Sequence, residues 1–305
     1  MPVKLSRREF FRAGLGGAVL ASLAGLARAG ASPLLPVQIA YAGSMAAVMN
    51  GALRQAARRE GWDLHGRAQG ATALAELIAG GALHPGVFLS ITAAPMLRVL
   101  HAHRAARALA FARTSFTLAY NPRGRWAEQL RRQPWWRLAQ QPGFRLGRSD
   151  PRTDPQGRNI IYMCLLAETF YHQPGLAHRI LGSWTNPAQV FAESSLEARL
   201  QSGQLDAAAA YQFQPAAYGL AGLPLPDAIN LATLSPEAQR LQLNLAGQLF
   251  HPEPLVFYAA AMTRSAHPQA SQAFLSWLLQ PPAQAIFRRA GYFAPGAAPD
   301  LAGHD

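Results

Sequence analysis

Two short segments of the sequence place glycine beside small side chains where an apolar stretch gives way to a helical one. Gly43-Ser44 follows Val37-Gln38-Ile39-Ala40-Tyr41-Ala42, and Gly70-Ala71-Thr72 follows Gln69 and opens a helical stretch through Ile78. Glycine lets the backbone come close to a ligand, and a serine or threonine at the cap adds a hydroxyl donor. The first amides of a helix lack an intrahelical acceptor and carry about half a unit of positive charge. Turns of this kind therefore suit a small anion. The same residues also make ordinary helix caps, so they identify no ligand by themselves.

Other chemistry finds little support. Ser44 lies in Ala42-Gly43-Ser44-Met45-Ala46, without the Gly-x-Ser-x-Gly elbow, and no His/Asp pair is assigned to it. The histidines are dispersed, and His101 and His103 are two apart, the wrong spacing for one helix face. Cys164 is the only cysteine and sits in the apolar stretch from Ile160 to Leu166, where it reads as a small core residue. Neither a disulfide nor a zinc site can be built from it within one chain. We expect no catalysis, no cofactor and no resident metal.

The elements needed to position such turns alternate. Strands are expected at Val37–Ala42, Val87–Ile91, Phe111–Tyr120, Phe144–Gly147, Leu205–Tyr211 and Leu255–Met262. Helices are expected over Met45–Arg59, Ala71–Ile78, Pro95–His103, Asn159–Tyr171, Ala177–Leu181, Ser195–Gln201, Ala270–Leu279 and Ala283–Ala290. Alternation of this kind predicts an α/β fold with a largely parallel sheet, whose ligands sit beyond the carboxyl ends of the strands. The Gly/Pro/Ala-rich tail from Pro295 is expected to fray.

The amino terminus reads as an export address. Ser6-Arg7-Arg8-Glu9-Phe10-Phe11 is a twin-arginine signature, followed by an apolar stretch from Ala13 to Leu26 and the small-residue exits Ala27-Arg28-Ala29 and Ala29-Gly30-Ala31. The core is short and interrupted by glycines, unlike a membrane span. Removing residues 1–31 takes away Lys4, Arg7, Arg8, Arg12 and Arg28 against Glu9, which lowers the net charge from +12 to +8. Lys4 is the only lysine, and the arginines are scattered without a basic run or aromatic platform, which argues against a nucleic-acid partner. A soluble, exported, periplasmic monomer is expected.

The segment Val37 to Ser44 resembles the opening of the periplasmic molybdate/tungstate-binding proteins of ABC transporters, members of the two-lobed type II solute-binding superfamily. The likeness continues through Gly70–Ile78, Phe111–Tyr120, Gly147-Arg148-Ser149-Asp150-Pro151, Asp154-Pro155-Gln156-Gly157, Leu200–Tyr211 and Leu225–Leu231. The closing stretch from Pro254 through Ala290-Gly291-Tyr292 is similar to the superfamily's usual end. The resemblance implies two α/β lobes, one from 33–113 plus 256–305 and one from 114–255. They would be joined by crossing strands at Phe111–Tyr120 and Leu255–Met262 and would close on the ligand like a hinge. It also implies a membrane permease as partner.

Position by position, the resemblance makes Gly43 and Ser44 the first oxyanion-contacting turn and Gly70-Ala71 the second, with alanine in place of the family's serine and Thr72 as a substitute hydroxyl. Asp154 matches the acid of the family's Asp-Pro-x-Gly-Tyr-Arg motif, in which Arg158 and Asn159 replace Tyr-Arg. Glu193 falls where some members place a second carboxylate, so that Asp154 and Glu193 would be ligands to the metal of a bound oxyanion. Tyr211 matches a tyrosine at a strand end, Phe213 occupies a usual serine position, and Thr114 and Ser115 lie on a crossing strand. Arg158 adds a guanidinium fork suited to oxyanions. Read from residue type alone, Asp154 also fits a helix cap, Glu193 an exposed helix start and Tyr211 ordinary core. The departures leave open a different anion, a ferric ion held by Tyr211 and Tyr218, or a sensing role in place of transport.

Overall fold

A computed structural model of the chain describes residues 34–303. The expected export leader over residues 1–31 lies outside the described residues. No helix among the described residues is long and apolar enough to cross a membrane.

In chain order the strands are β1 (Leu35–Ala42), β2 (Trp62–Gln69), β3 (Val87–Ile91), β4 (Arg107–Arg113), β5 (Phe116–Tyr120), β6 (Leu146–Gly147), β7 (Ala207–Tyr211), β8 (Ala221–Gly222), β9 (Leu243–Leu245), β10 (Gln248–Phe250), β11 (Val256–Ala261) and β12 (Leu301–Ala302). Six of them form a sheet in the order β12-β4-β11-β3-β1-β2, and four form a second sheet, β6-β7-β5-β8. Strands β3, β5 and β7 are buried along their whole length, which explains their unbroken apolar runs. Burial also explains Ala207-Ala208-Ala209-Ala210, a poor strand former when exposed.

Both sheets are mixed, where a largely parallel one was expected. Strand β1 pairs in parallel with β2 and β3, but β11 runs antiparallel to β3 and β4, and β5 antiparallel to β7 and β8. Parallel neighbours need a crossover connection, usually a helix. The strands β11 and β5 are instead reached by chain passing from one sheet to the other, and they enter against the grain.

That passage also breaks the expected strand Phe111–Tyr120 in two. Strand β4 ends at Arg113 and β5 begins at Phe116, with Thr114 and Ser115 between the sheets. The Thr114 N–H donates to Leu255 O at 2.9 Å, so the outgoing and returning chains run side by side there. The expected helix Met45–Arg59 is a composite of 3-10, α and π turns, interrupted at Gly51 (φ −97°, ψ −112°). The helix expected from Asn159 begins earlier, at Pro155, because Asp154 caps it. The tail is not frayed. Phe293 and Arg113 exchange backbone hydrogen bonds at 3.0 Å, and Leu301–Ala302 adds an edge strand to β4.

Candidate functional site

Strands β1 and β2 are parallel neighbours with Ala42 opposite Gln69, so the two glycine turns leave the sheet side by side at the same end. Gly70 caps the helix Ala71–Ala79 with extended backbone angles. A Cβ on Gly70 would stand 2.8 Å from Thr153 O and 3.2 Å from Asp154 Cβ. A Cβ on Gly43 would overlap Glu193 Oε2. The glycines therefore make room for two carboxylate-bearing segments of the chain, beyond any role at a cap.

Asp154 caps the helix Pro155–Phe170: its Oδ1 accepts the Gln156 N–H at 2.9 Å. Glu193 is delivered by a segment tied to Arg148. The Arg148 guanidinium is wholly buried and donates to Trp184 O at 2.6 Å, Ser183 O at 3.0 Å and Gln189 Oε1 at 3.2 Å. Its backbone bonds Gln189 O and the Phe191 N–H. Fixing Arg148 thus fixes the approach to Glu193 and the start of Ser149-Asp150.

These segments surround a cavity of about 430 Å³ lined by Gly43, Gln69, Gly70, Ser149, Asp150, Thr153, Asp154, Glu193 and Ser194, among others. Asp150 is neutralised by Arg152, whose Nη2 lies 2.6 Å from Oδ2. Asp154 and Glu193 have no such partner. Their Oδ2 and Oε2 atoms are buried without a hydrogen bond, as are Ser149 Oγ and the neighbouring Gln156 Oε1. Burial pushes the Glu193 carboxyl well above the usual carboxylate range, and the negative charge of Asp154 adds to the effect. The Asp154 carboxyl is raised by burial too, against the opposing pull of the Gln156 N–H and the Arg158 charge. Buried polar groups in folded proteins are nearly always paired, so a cluster of unpaired ones around a cavity points to a ligand. No three His, Cys, Asp or Glu side chains among the described residues form a site for a free metal ion.

Of the residues expected from sequence, Gly43, Gly70, Asp154 and Glu193 line this cavity together. Ser44 is buried with its hydroxyl unpaired, but it lines a second cavity. Ala71 packs into the core. The Thr72 hydroxyl accepts from Arg158 Nη2 at 2.9 Å. Arg158 also donates to Pro151 O at 2.8 Å and lies over the Phe250 ring at 4.2 Å, so its fork is used in holding the turn before Asp154. Tyr211 is fully buried and its hydroxyl accepts from Asn159 Nδ2 at 3.2 Å. Burial, then the charges of Asp154 and Glu193, raise its phenol well above normal, which keeps it a neutral donor beside them. Ser115 is part-buried at the passage between sheets and is not among the lining residues of either cavity. Sequence reasoning missed Ser149, Thr153 and Arg148, although all three sit within six residues of Asp154.

Two mixed sheets, chain passing between them twice, and a polar cavity at the carboxyl ends of parallel strands make up the type II solute-binding fold. Among solved structures, the periplasmic molybdate-binding protein of Azotobacter vinelandii matches 85% of this chain and 99% of its own, with a TM-score of 0.58 at 16% identity. The chain belongs to the bacterial extracellular solute-binding protein family, whose profile matches residues 37–293. That family consists of binding proteins, not enzymes. An uncharacterised solute-binding protein of Halobacterium salinarum is 28% identical over 97% of this chain and 94% of its own length. The molybdate/tungstate-binding protein WtpA of Pyrococcus abyssi is 22% identical, over 58% of this chain and 59% of its own.

Proposed function

We propose that the chain is the extracytoplasmic receptor of an ABC importer and captures molybdate or tungstate for an inner-membrane permease. The observation that carries this reading is the pair Asp154 and Glu193, buried and unpaired on one cavity. Carboxylates repel an ordinary oxyanion. They become useful if they bind its central atom directly, and a molybdenum or tungsten centre can accept added oxygen ligands. The phosphorus of phosphate and the sulfur of sulfate do not readily do so. Ser149 Oγ and the Tyr211 phenol lie in the same polar cluster and would donate to the oxo groups.

In this reading the export leader directs a twin-arginine route to the periplasm, where the mature chain acts as a monomer. The two lobes are 33–113 plus 256–305 and 114–255, and closure needs only a higher affinity of the closed form for the anion. The neutral replacement Ala71 is offset by Ser149, a hydroxyl on a different segment.

Thermal unfolding of the mature protein against molybdate, tungstate, sulfate and phosphate tests the proposal. A ligand at about 100 times its Kd adds roughly 2.7 kcal/mol. Stabilisation by molybdate or tungstate alone is the expected result. Stabilisation by sulfate or phosphate, or by no anion, rejects it.

A further inference from the structure

The Gly43-Ser44 turn serves two cavities, because Gly43 lines the first and Ser44 the second. We propose that the second cavity binds a small organic carboxylate with an apolar body, of the aryl or medium-chain alkyl type. This site is separate from the oxyanion site and goes beyond the function proposed above.

The second cavity measures about 370 Å³, within the range of small-molecule sites. Its walls are apolar, with Val48, Ala52, Phe213 and the Tyr292 ring among them. Phe213 and Tyr292 stack with centroids 3.9 Å apart, and Tyr292 packs in turn on Phe257 and Phe287, so this wall is held rigid. No carboxylate lines the cavity, in contrast to the first.

Three polar groups are left for a ligand. The hydroxyls of Ser44 and Tyr292 are buried, each residue being only 3% exposed, and neither makes a hydrogen bond. Burial pushes the Tyr292 phenol well above its ordinary value, so it remains a neutral donor at physiological pH. The third group is Arg289, in the last turn of the helix Pro281–Arg289. It is exposed and lines the cavity, and its guanidinium takes part in no hydrogen bond or ion pair among the described residues. A free guanidinium is a bidentate partner for a carboxylate. The other polar side chain, Gln214, is already committed: its Oε1 accepts from Tyr211 N and Gln156 Nε2, and its Nε2 donates to Glu197. One cation at the rim, apolar walls and unpaired hydroxyls within describe an amphipathic monoanion. An inorganic oxyanion would leave the apolar surface unused.

The test is calorimetric titration of the mature protein with benzoate, 4-hydroxybenzoate and hexanoate, using benzyl alcohol as the uncharged control. At least one carboxylate should bind saturably and benzyl alcohol should not. Arg289→Gln should weaken that binding about tenfold and Tyr292→Phe severalfold. Asp154→Asn, which removes an acid of the first cavity, should leave it unchanged. Absence of saturable binding by all three carboxylates overturns the proposal. Binding indifferent to Arg289→Gln, or lost in Asp154→Asn, also overturns it. Because molybdate is not used, failure here is distinct from failure of the oxyanion reading.

Discussion

Asp206 and the pair Asp154 and Glu193 are carboxylates buried to the same degree, 8% exposed against 4% and 8%, yet they sit in opposite surroundings. Asp206 receives Arg125 Nε at 3.0 Å and Nη2 at 2.9 Å, Arg145 Nη2 at 3.0 Å and Nε at 3.2 Å, and the Arg145 N–H at 2.8 Å. Burial pushes its carboxyl up, but these bonds outweigh that and hold it below the usual aspartate value. Asp154 Oδ2 and Glu193 Oε2 make no ion pair and no well-formed hydrogen bond, the two carboxyls face each other, and both are raised. Burial alone therefore does not tell whether an acid's hydrogen-bonding capacity is spent. The satisfaction of the second oxygen does. A fully bonded carboxylate stabilises the fold, whereas an unbonded one costs stability until a ligand completes it.

The contrast can be broken most directly by neutralising each acid. Asp154→Asn or Glu193→Gln should weaken molybdate or tungstate binding about 100-fold, corresponding to about 2.7 kcal/mol, as read by isothermal titration. Neither change should lower the Tm of the ligand-free protein, because each replaces a buried carboxyl that no cation balances with a neutral amide of the same shape. Asp206→Ala should do the reverse. Its two guanidinium partners are about half exposed, which moderates the loss to about 2 kcal/mol, a fall in Tm of roughly 4–8 °C, with anion affinity intact. Equal effects of the two classes on both readouts would erase the distinction.

A smaller effect is expected from Gly43→Ala. The new methyl group would displace the Glu193 carboxyl without disturbing Asp206, so affinity should fall about tenfold in the same titration.

Acidity sharpens the comparison further. Asp154 and Glu193 have folded-state values above those of the unfolded chain, so their contribution to stability is fully present at low pH. It is lost as pH rises through the raised values. Asp206 has a lowered value, so its contribution is present above the ordinary carboxylate range and is lost as pH falls through the lowered value. Calorimetry of the ligand-free protein should therefore show Tm falling by a few degrees as pH rises above the ordinary carboxylate range. Asp154→Asn combined with Glu193→Gln should flatten that slope, and Asp206→Ala should leave it in place. Smallest of all, Ser115→Ala should change anion affinity by less than about twofold, since the residue lies outside the cavity.

Much of the frame was legible because it depends on local pattern. The stretch Val37–Ala42 reads as a strand, and Gly43 and Gly70 as turns, because periodicity and backbone freedom are properties of neighbouring residues. The strand break at Thr114-Ser115 was not legible. Phe111 to Tyr120 carries Arg113, Thr114 and Ser115 in its middle but no glycine or proline, and only the second sheet divides it. The ordered tail was hidden for the same reason: Leu301–Ala302 gains its order from β4, nearly two hundred residues away.

The site divides along the same line. Sequence by itself determined the alternation of strands and helices, the resemblance to the family and the identity of Asp154 and Glu193 as acids to watch. Tertiary structure alone decided that those two share one cavity unpaired, while Asp206, the same chemical group, is enclosed by Arg125 and Arg145. It also decided that Arg158, an expected anion ligand, is spent on Thr72 and Pro151. The physical reason is that a side chain's type fixes what it can donate or accept. Which of those capacities is left over depends on partners brought from distant parts of the chain, and that is settled only when the fold closes around them.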